Sequence, residues 1–212
     1  TKHARHFWHK PRVALDEQAY LIGAASSGLV PELYVANAMM LAAPMPPEEL
    51  EACRGGARRA LDNFEKIARG AGADAIERRL GDEPAQHSIV LQARYADLVV
   101  VGQHDPADLE AGAPRDLPEY AALQGGRPVL AVPYAGSYDR IDRHALVAWD
   151  GSRSAVRAVT DALPLLRRSG GVTLAVFNPR RQYGVHGDLP GADIALLLAR
   201  HGVKVEVLRQ DT

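Results

Sequence analysis

The sequence predicts an α/β fold: an open parallel sheet with helices on both faces, arranged as two units in series, the second incomplete. Three observations carry that expectation. Strand-like and helix-like segments alternate along the chain, which implies parallel strands joined by right-handed crossovers. Two segments, DLVVVG at 97–102 and PVLAVP at 128–133, are continuous apolar runs, as strands covered on both faces read. After a linker at 133–143 the strand–helix pattern starts again, so the expected units span 1–136 and 137–212.

The elements follow in order. The opening TKHARHFWHKPR is basic, rich in histidine and without strand periodicity. VALDEQAYLIGAASSG, 13–28, reads as a helix stopped by Gly28, and LYVA, 33–36, as a short strand. Pro44, Pro46 and Pro47 break the chain, and Pro47-Glu48-Glu49 has the proline and acids of a helix start. From 48 to 69 the apolar positions Leu50, Cys53, Ala57, Leu61, Phe64 and Ile67 recur every three or four residues, an amphipathic helix. Cys53 falls on that apolar face and is expected to pack in the core. Residues 74–80 alternate poorly, as at a sheet edge. A helix follows to Ala96, with Ile89, Val90 and Ala93 inward. A polar segment, 103–115, precedes a short helix at 117–123, which Gly125-Gly126 breaks.

In the second unit HALVAW is a strand, and 152–168 is a helix with Ala155, Val156, Val159, Leu163 and Leu166 inward. GVTLAVFNP is a strand, 191–202 a helix closed by Gly202, and VKVEVL a strand of strict alternation. His201 is expected to sit against the carboxyl end of that helix. The pattern stops there, at three strands and two helices.

Composition excludes several functions. Basic and acidic side chains number 25 and 26, a net charge of -1, which gives no electrostatic case for nucleic acid or an anionic membrane. No apolar run approaches the ~20 residues of a membrane span. The single cysteine, Cys53, allows no intrachain disulfide and fits a reducing, cytoplasmic setting. There is no Gly-x-Ser-x-Gly elbow, paired-cysteine motif or lysine-bearing phosphate loop, and the acids at 97–105 lack the partner lysine of a phosphate-accepting receiver.

One position asks for more than packing. The apolar run ALVAW ends at Asp150, turns through Gly151 and Ser152, and becomes a helix. Ligands of open α/β sheets sit beyond the carboxyl ends of the strands. Asp150 or Ser152 can serve as the helix cap. The functional reading is that the Asp150 carboxylate accepts hydrogen bonds from the nucleoside part of a ligand. Both readings can hold at once.

VAWDGSRSAVRAVTDALPLL followed by VTLAVFNP resembles the opening of a universal stress protein domain, whose first strand ends in Asp-Gly-Ser. ARYADLVVVGQ and GGRPVLAVP resemble the fourth and fifth strands of the same domain. Two such stretches in series, joined at DLPEYAALQGGRPVLAVPYAG, look like the tandem bacterial form. The resemblance runs from about residue 33 to 212 and implies a Rossmann-like fold of the adenine nucleotide alpha hydrolase type. It further implies an ATP or AMP site acting by binding in a stress response rather than by turnover. Asp150, with Gly151 and Ser152, matches the acid that contacts adenosine. Val176 and Phe177 match the strand end whose backbone grips adenine. The fifth strands of the family pair between domains, so the resemblance implies a homo-oligomer, a homodimer in its simplest form, through Val129 to Val132.

The phosphate cradle departs from the family. In the first unit Gly102 is in place, but Asp105 replaces the second glycine and no Gly-Ser or Gly-Thr follows. Asp105, Asp108, Glu110, Asp116 and Glu119 crowd the segment and oppose a triphosphate, by about 1 kcal/mol per close exposed pair. In the second unit the corresponding loop is absent. The amino terminus departs too, and Asp16 receives no binding role. A nucleotide-independent dimerising scaffold is the first alternative, and a weak ATPase the second.

Smaller constellations are expected to be structural. His3, His6 and His9 lie three apart, but no carboxylate joins them and terminal segments fray. His186 lies in a glycine-rich connector near Asp188 and Asp193. GAASSG, 23–28, is not taken as a nucleotide fingerprint, because no clear strand precedes it.

Overall fold

The computed structural model describes residues 19–28, 46–107, 114–136, 143–179 and 189–211. The chain divides into two compact units, Thr1–Ser137 and Tyr138–Thr212. The strand expected at 33–36, the histidines of the amino terminus, Asp16 and His186 lie outside the described residues.

The first unit begins with β1 (Leu21–Ser26), which pairs in parallel with β2 (Ile76–Gly81), Leu21 beside Ile76 and Ser26 beside Gly81. This corrects the helix expected over 13–28 wherever the segment is described. Small residues let Leu21–Ser26 lie flat between two layers. A Cβ on Gly23 would stand 2.3 Å from the Phe64 ring, so only glycine admits that close approach. Phe64 belongs to α1 (Pro47–Gly70), which starts with proline in its first turn and buries Ala57, Leu61 and Ala68. Cys53 is exposed, against expectation. It keeps the helical spacing, and Arg54 beside it reaches Asp82, just past the end of β2.

The poor alternation of β2 has a physical reason. Its arginines reach a helix on each face of the sheet. Arg78 binds Asp62 and Glu65 of α1. Arg79, on the opposite face, binds Glu77 beside it and Gln92 of α2 (Ala85–Ala93). Their stems cover apolar surface while the guanidiniums stay hydrated. The sheet therefore has α1 on one side and α2 on the other. Of the residues expected inward on α2, Ala93 is buried and Ile89 and Val90 are half-buried, while Ser88 is buried as well. Next come β3 (Val99–Gly102), α3 (Leu117–Gln124) and β4 (Val129–Val132). β3 and β4 pair in parallel, and α3 packs on both strands and on α2. Gly125 lies close to Ala93, which brings α2 and α3 together.

The second unit is a parallel sheet of β5 (His144–Ala148), β6 (Gly171–Phe177) and β7 (Val205–Gln210), in that spatial order. Two helices, α4 (Arg153–Arg168) and α5 (Ala192–Arg200), connect the strands. Their core joins Val159 and Leu166 of α4, Leu198 of α5, Val172 and Val203, with Ala145, Val147, Trp149 and Val205 packed against it. Val172, Leu174 and Val176, on the helix side of the central strand, are each at most 1% exposed, and the small Ala175 on its other side is buried too. Strands taken in sequential order with right-handed crossovers put both helices on one side, as here. Val156, expected inward, is 47% exposed because it lies on the flank of the Val159–Leu166 stripe. At the end of α5 the backbone amide of His201 donates to Leu197 and Leu198, and Gly202 takes φ 79° to turn the chain.

Candidate functional site at the strand carboxyl ends

The chain leaves β5 through Trp149, whose backbone amide donates to the Ala175 carbonyl of β6 at 2.9 Å. Ala148 is level with Ala175, so Asp150 leaves the sheet level with Phe177, one strand spacing of about 4.8 Å away. Asp150 is exposed. Its Oδ1 accepts the Ser152 backbone amide at 2.9 Å, closing a tight turn over Gly151, whose φ is 72°. Ser152 caps α4: its Oγ accepts the Ala155 amide at 3.1 Å. The expected cap is thus Ser152, and Asp150 braces the turn before it. On β6, Val176 is 1% exposed and faces the helices, while Phe177 is 49% exposed on the other face. Asn178 follows with φ 49°, and its amide donates to the Gln210 carbonyl of β7 at 2.9 Å. The five residues singled out from the sequence therefore border one rim, at the carboxyl ends of β5 and β6. The rim brings together an exposed carboxylate, a glycine turn and the end of a central strand.

A second network occupies the carboxyl ends of β1 and β2, and the sequence reading missed it. Arg54 donates to both oxygens of Asp82, at 3.0 and 2.5 Å. The Ser27 hydroxyl donates to Asp82 Oδ1 at 2.9 Å, and that of Ser26 to the Glu83 carbonyl. The Gly28 amide returns to Ser26 Oγ at 3.0 Å. Hydrogen bonds from Arg54, then Ser27, hold the Asp82 carboxyl below its ordinary range, and Asp82 in turn raises Arg54. This fork satisfies its own charges and fastens α1 to the sheet. Its sequence signal was Ser-Ser-Gly after an apolar run. The first four residues of GAASSG are themselves the end of β1 (Leu21–Ser26), so the segment is strand and turn rather than a loop that follows a strand.

The altered loop after β3 is described at its two ends. The Gln103 amide donates to the Val132 carbonyl at 2.8 Å. Asp105 Oδ1 accepts the Ala107 amide at 2.9 Å, and Asp116 accepts from Gln86 at 3.0 and 3.3 Å. Asp105 thus braces a local turn, and Asp116 ties the start of α3 to Gln86 of α2. Residues 108–113, with Asp108 and Glu110, fall outside the described residues. Among the described residues no group of three or more His, Cys, Asp or Glu side chains is placed to hold a metal, and no helix is long and apolar enough to cross a membrane.

The whole chain superposes on 72% of the crystal structure of a universal stress protein from Archaeoglobus fulgidus DSM 4304, with a TM-score of 0.60 and 13% sequence identity. The chain shares that protein's fold. No family model matches the sequence, and no curated protein matches it. At this identity the likeness establishes architecture: parallel α/β layers of the Rossmann-like kind.

Proposed function

We propose that the protein is a universal-stress-type sensor that binds an adenine nucleotide, ATP or AMP, at the rim of its second unit. It acts by occupancy and association rather than by turnover. The observation that carries the reading is Asp150, an exposed carboxylate at the carboxyl end of a parallel strand. Its role is to accept hydrogen bonds from the ribose. Gly151 and Ser152 shape the turn, and the backbone at Val176 and Phe177 grips the base. The residues assigned to the rim contact the nucleoside part of the nucleotide, ribose and base. The two units are read as tandem universal-stress units in a cytoplasmic protein, the second carrying the first half of the pattern.

The first unit serves structure and association. Among the described residues β4 pairs with β3 alone, which supports assigning Val129 to Val132 as the strand through which two chains join. ATP or AMP protects the wild-type chain from thermal unfolding, and Asp150→Ala loses that protection. Oligomers that persist without any nucleotide shift identify the scaffold instead. Phosphate release that Asp150→Ala abolishes identifies an ATPase.

A further inference from the structure

The rim of the second unit carries one side chain more than the sequence singled out. On β7, Gln210 is level with Phe177 of β6, and the Asn178 amide donates to the Gln210 carbonyl at 2.9 Å. The parallel register therefore holds through the last residue of β7. Residues level with one another in a sheet share a face. Thr173 and Glu206, four residues earlier on the same two strands, show it directly, since the Thr173 hydroxyl donates to Glu206 Oε1 at 2.6 Å. Phe177 and Gln210 are thus neighbours on one face, and Asp150 leaves β5 at the same level on the other flank of Phe177.

The three strand ends present a carboxylate, an aromatic ring and a carboxamide in a row. Adjacent strands lie about 4.8 Å apart, so the row spans roughly 10 Å. That is the reach of a nucleoside from its sugar hydroxyls to the far edge of its base. Gln210 Nε2 donates one hydrogen to the Asp211 carbonyl at 3.3 Å. A carboxamide has a second such hydrogen, and Oε1 as an acceptor. We propose that Phe177 and Gln210 set the base specificity of the rim: the Phe177 ring stacks on the purine and the Gln210 carboxamide reads its edge. Oε1 accepts from the 6-amino group of adenine, and Nε2 donates to N7. Guanine carries an acceptor in place of that amino group, so the paired contact fails. Every base has a face to stack, so Phe177 contributes affinity and Gln210 the discrimination. The inference rests on the reading of Asp150 as the ribose contact and adds Gln210, a residue which that reading does not use.

Titration calorimetry on the full chain with adenosine, guanosine and 7-deazaadenosine, in which carbon replaces N7, tests it. The wild type is expected to bind adenosine at least roughly tenfold tighter than either of the others. Gln210→Met keeps the length of the side chain without its amide, and should bring the three nucleosides to similar, weaker binding. Phe177→Leu weakens all three by about tenfold, and Phe177→Trp restores them. Circular dichroism checks that each variant folds. Adenosine binding indifferent to Gln210→Met, or 7-deazaadenosine bound by the wild type as tightly as adenosine, overturns the role of Gln210 and leaves that of Asp150 standing. Binding unchanged in Phe177→Leu overturns the stacking. No binding of adenosine to the wild type overturns the nucleotide reading itself, and this inference with it.

Discussion

The two units fill their interiors with different residues. In the second, Val172, Leu174, Val176 and Leu198 are at most 1% exposed and crowd one side of the sheet. In the first, the buried positions include Ala57, Ala68, Ala73, Ala93 and Ala121, with Leu61 and Val101 the larger exceptions. Small side chains and Gly23 let helices approach both faces of the β1–β2 sheet. Each alanine buries little apolar area, so charged clamps share the work: Arg78 on α1, Arg79 facing α2, and Arg54 on Asp82. Among the described residues, the second unit gathers its large buried side chains on one side of the sheet; on the other, Leu146, Phe177 and Leu208 are exposed and the small Ala175 is buried. The first interior is built from small side chains and the second from large ones.

The largest effect should come from Leu174→Ala. It removes a fully buried side chain from the centre of β6 and should cost about 3 kcal/mol or more. Trp149, packed against the same core, reports the loss in chemical denaturation once Trp8→Phe removes the other tryptophan. An alanine-lined interior predicts a different failure in the first unit, by crowding. Gly23→Val forces the Phe64 ring aside and should cost about 1–3 kcal/mol, partly restored by Phe64→Leu. Backbone hydrogen exchange separates the two results, since protection should fall in β1–β2 for one variant and in β5–β7 for the other.

A smaller loss is expected from Ser152→Ala, about 1 kcal/mol, from the lost cap of α4. If the Asp150 rim binds nucleotide, Asp150→Ala loses the ligand's thermal shift and Ser152→Ala keeps most of it, so paired melting curves separate brace from ligand contact. The smallest effect lies in the Arg54–Asp82 fork. Asp82 titrates lower folded than unfolded, so its contribution is present above the ordinary carboxylate range and fades as pH falls through the folded value. The small stability gap between wild type and Arg54→Gln should therefore shrink on acidification below about pH 4. A gap unchanged by acid would assign the role of Arg54 to packing.

Most of the layering was legible because periodicity and burial agree. The Ala57–Leu61–Ala68 stripe, the run at Val99 to Gly102 and the restart at His144 each state their own period. β1 was misread because Gly23, Ala24 and Ala25 give no hydrophobic signal. Its strand character comes from pairing with β2 and from the space Phe64 takes. Cys53 and Val156 follow helical period yet meet water, because period fixes direction and not what lies opposite. At the candidate site Asp150-Gly151-Ser152 could be read as a turn and cap. The Arg54–Asp82 fork joins residues 28 positions apart, a pairing no local pattern announces.

Titration calorimetry with adenosine, AMP and ATP on the wild type and Asp150→Ala tests the central claim most directly. The account predicts that adenosine, AMP and ATP each bind the wild type and that Asp150→Ala removes the signal for all three. No binding of any of the three, or binding undiminished by Asp150→Ala, would contradict it.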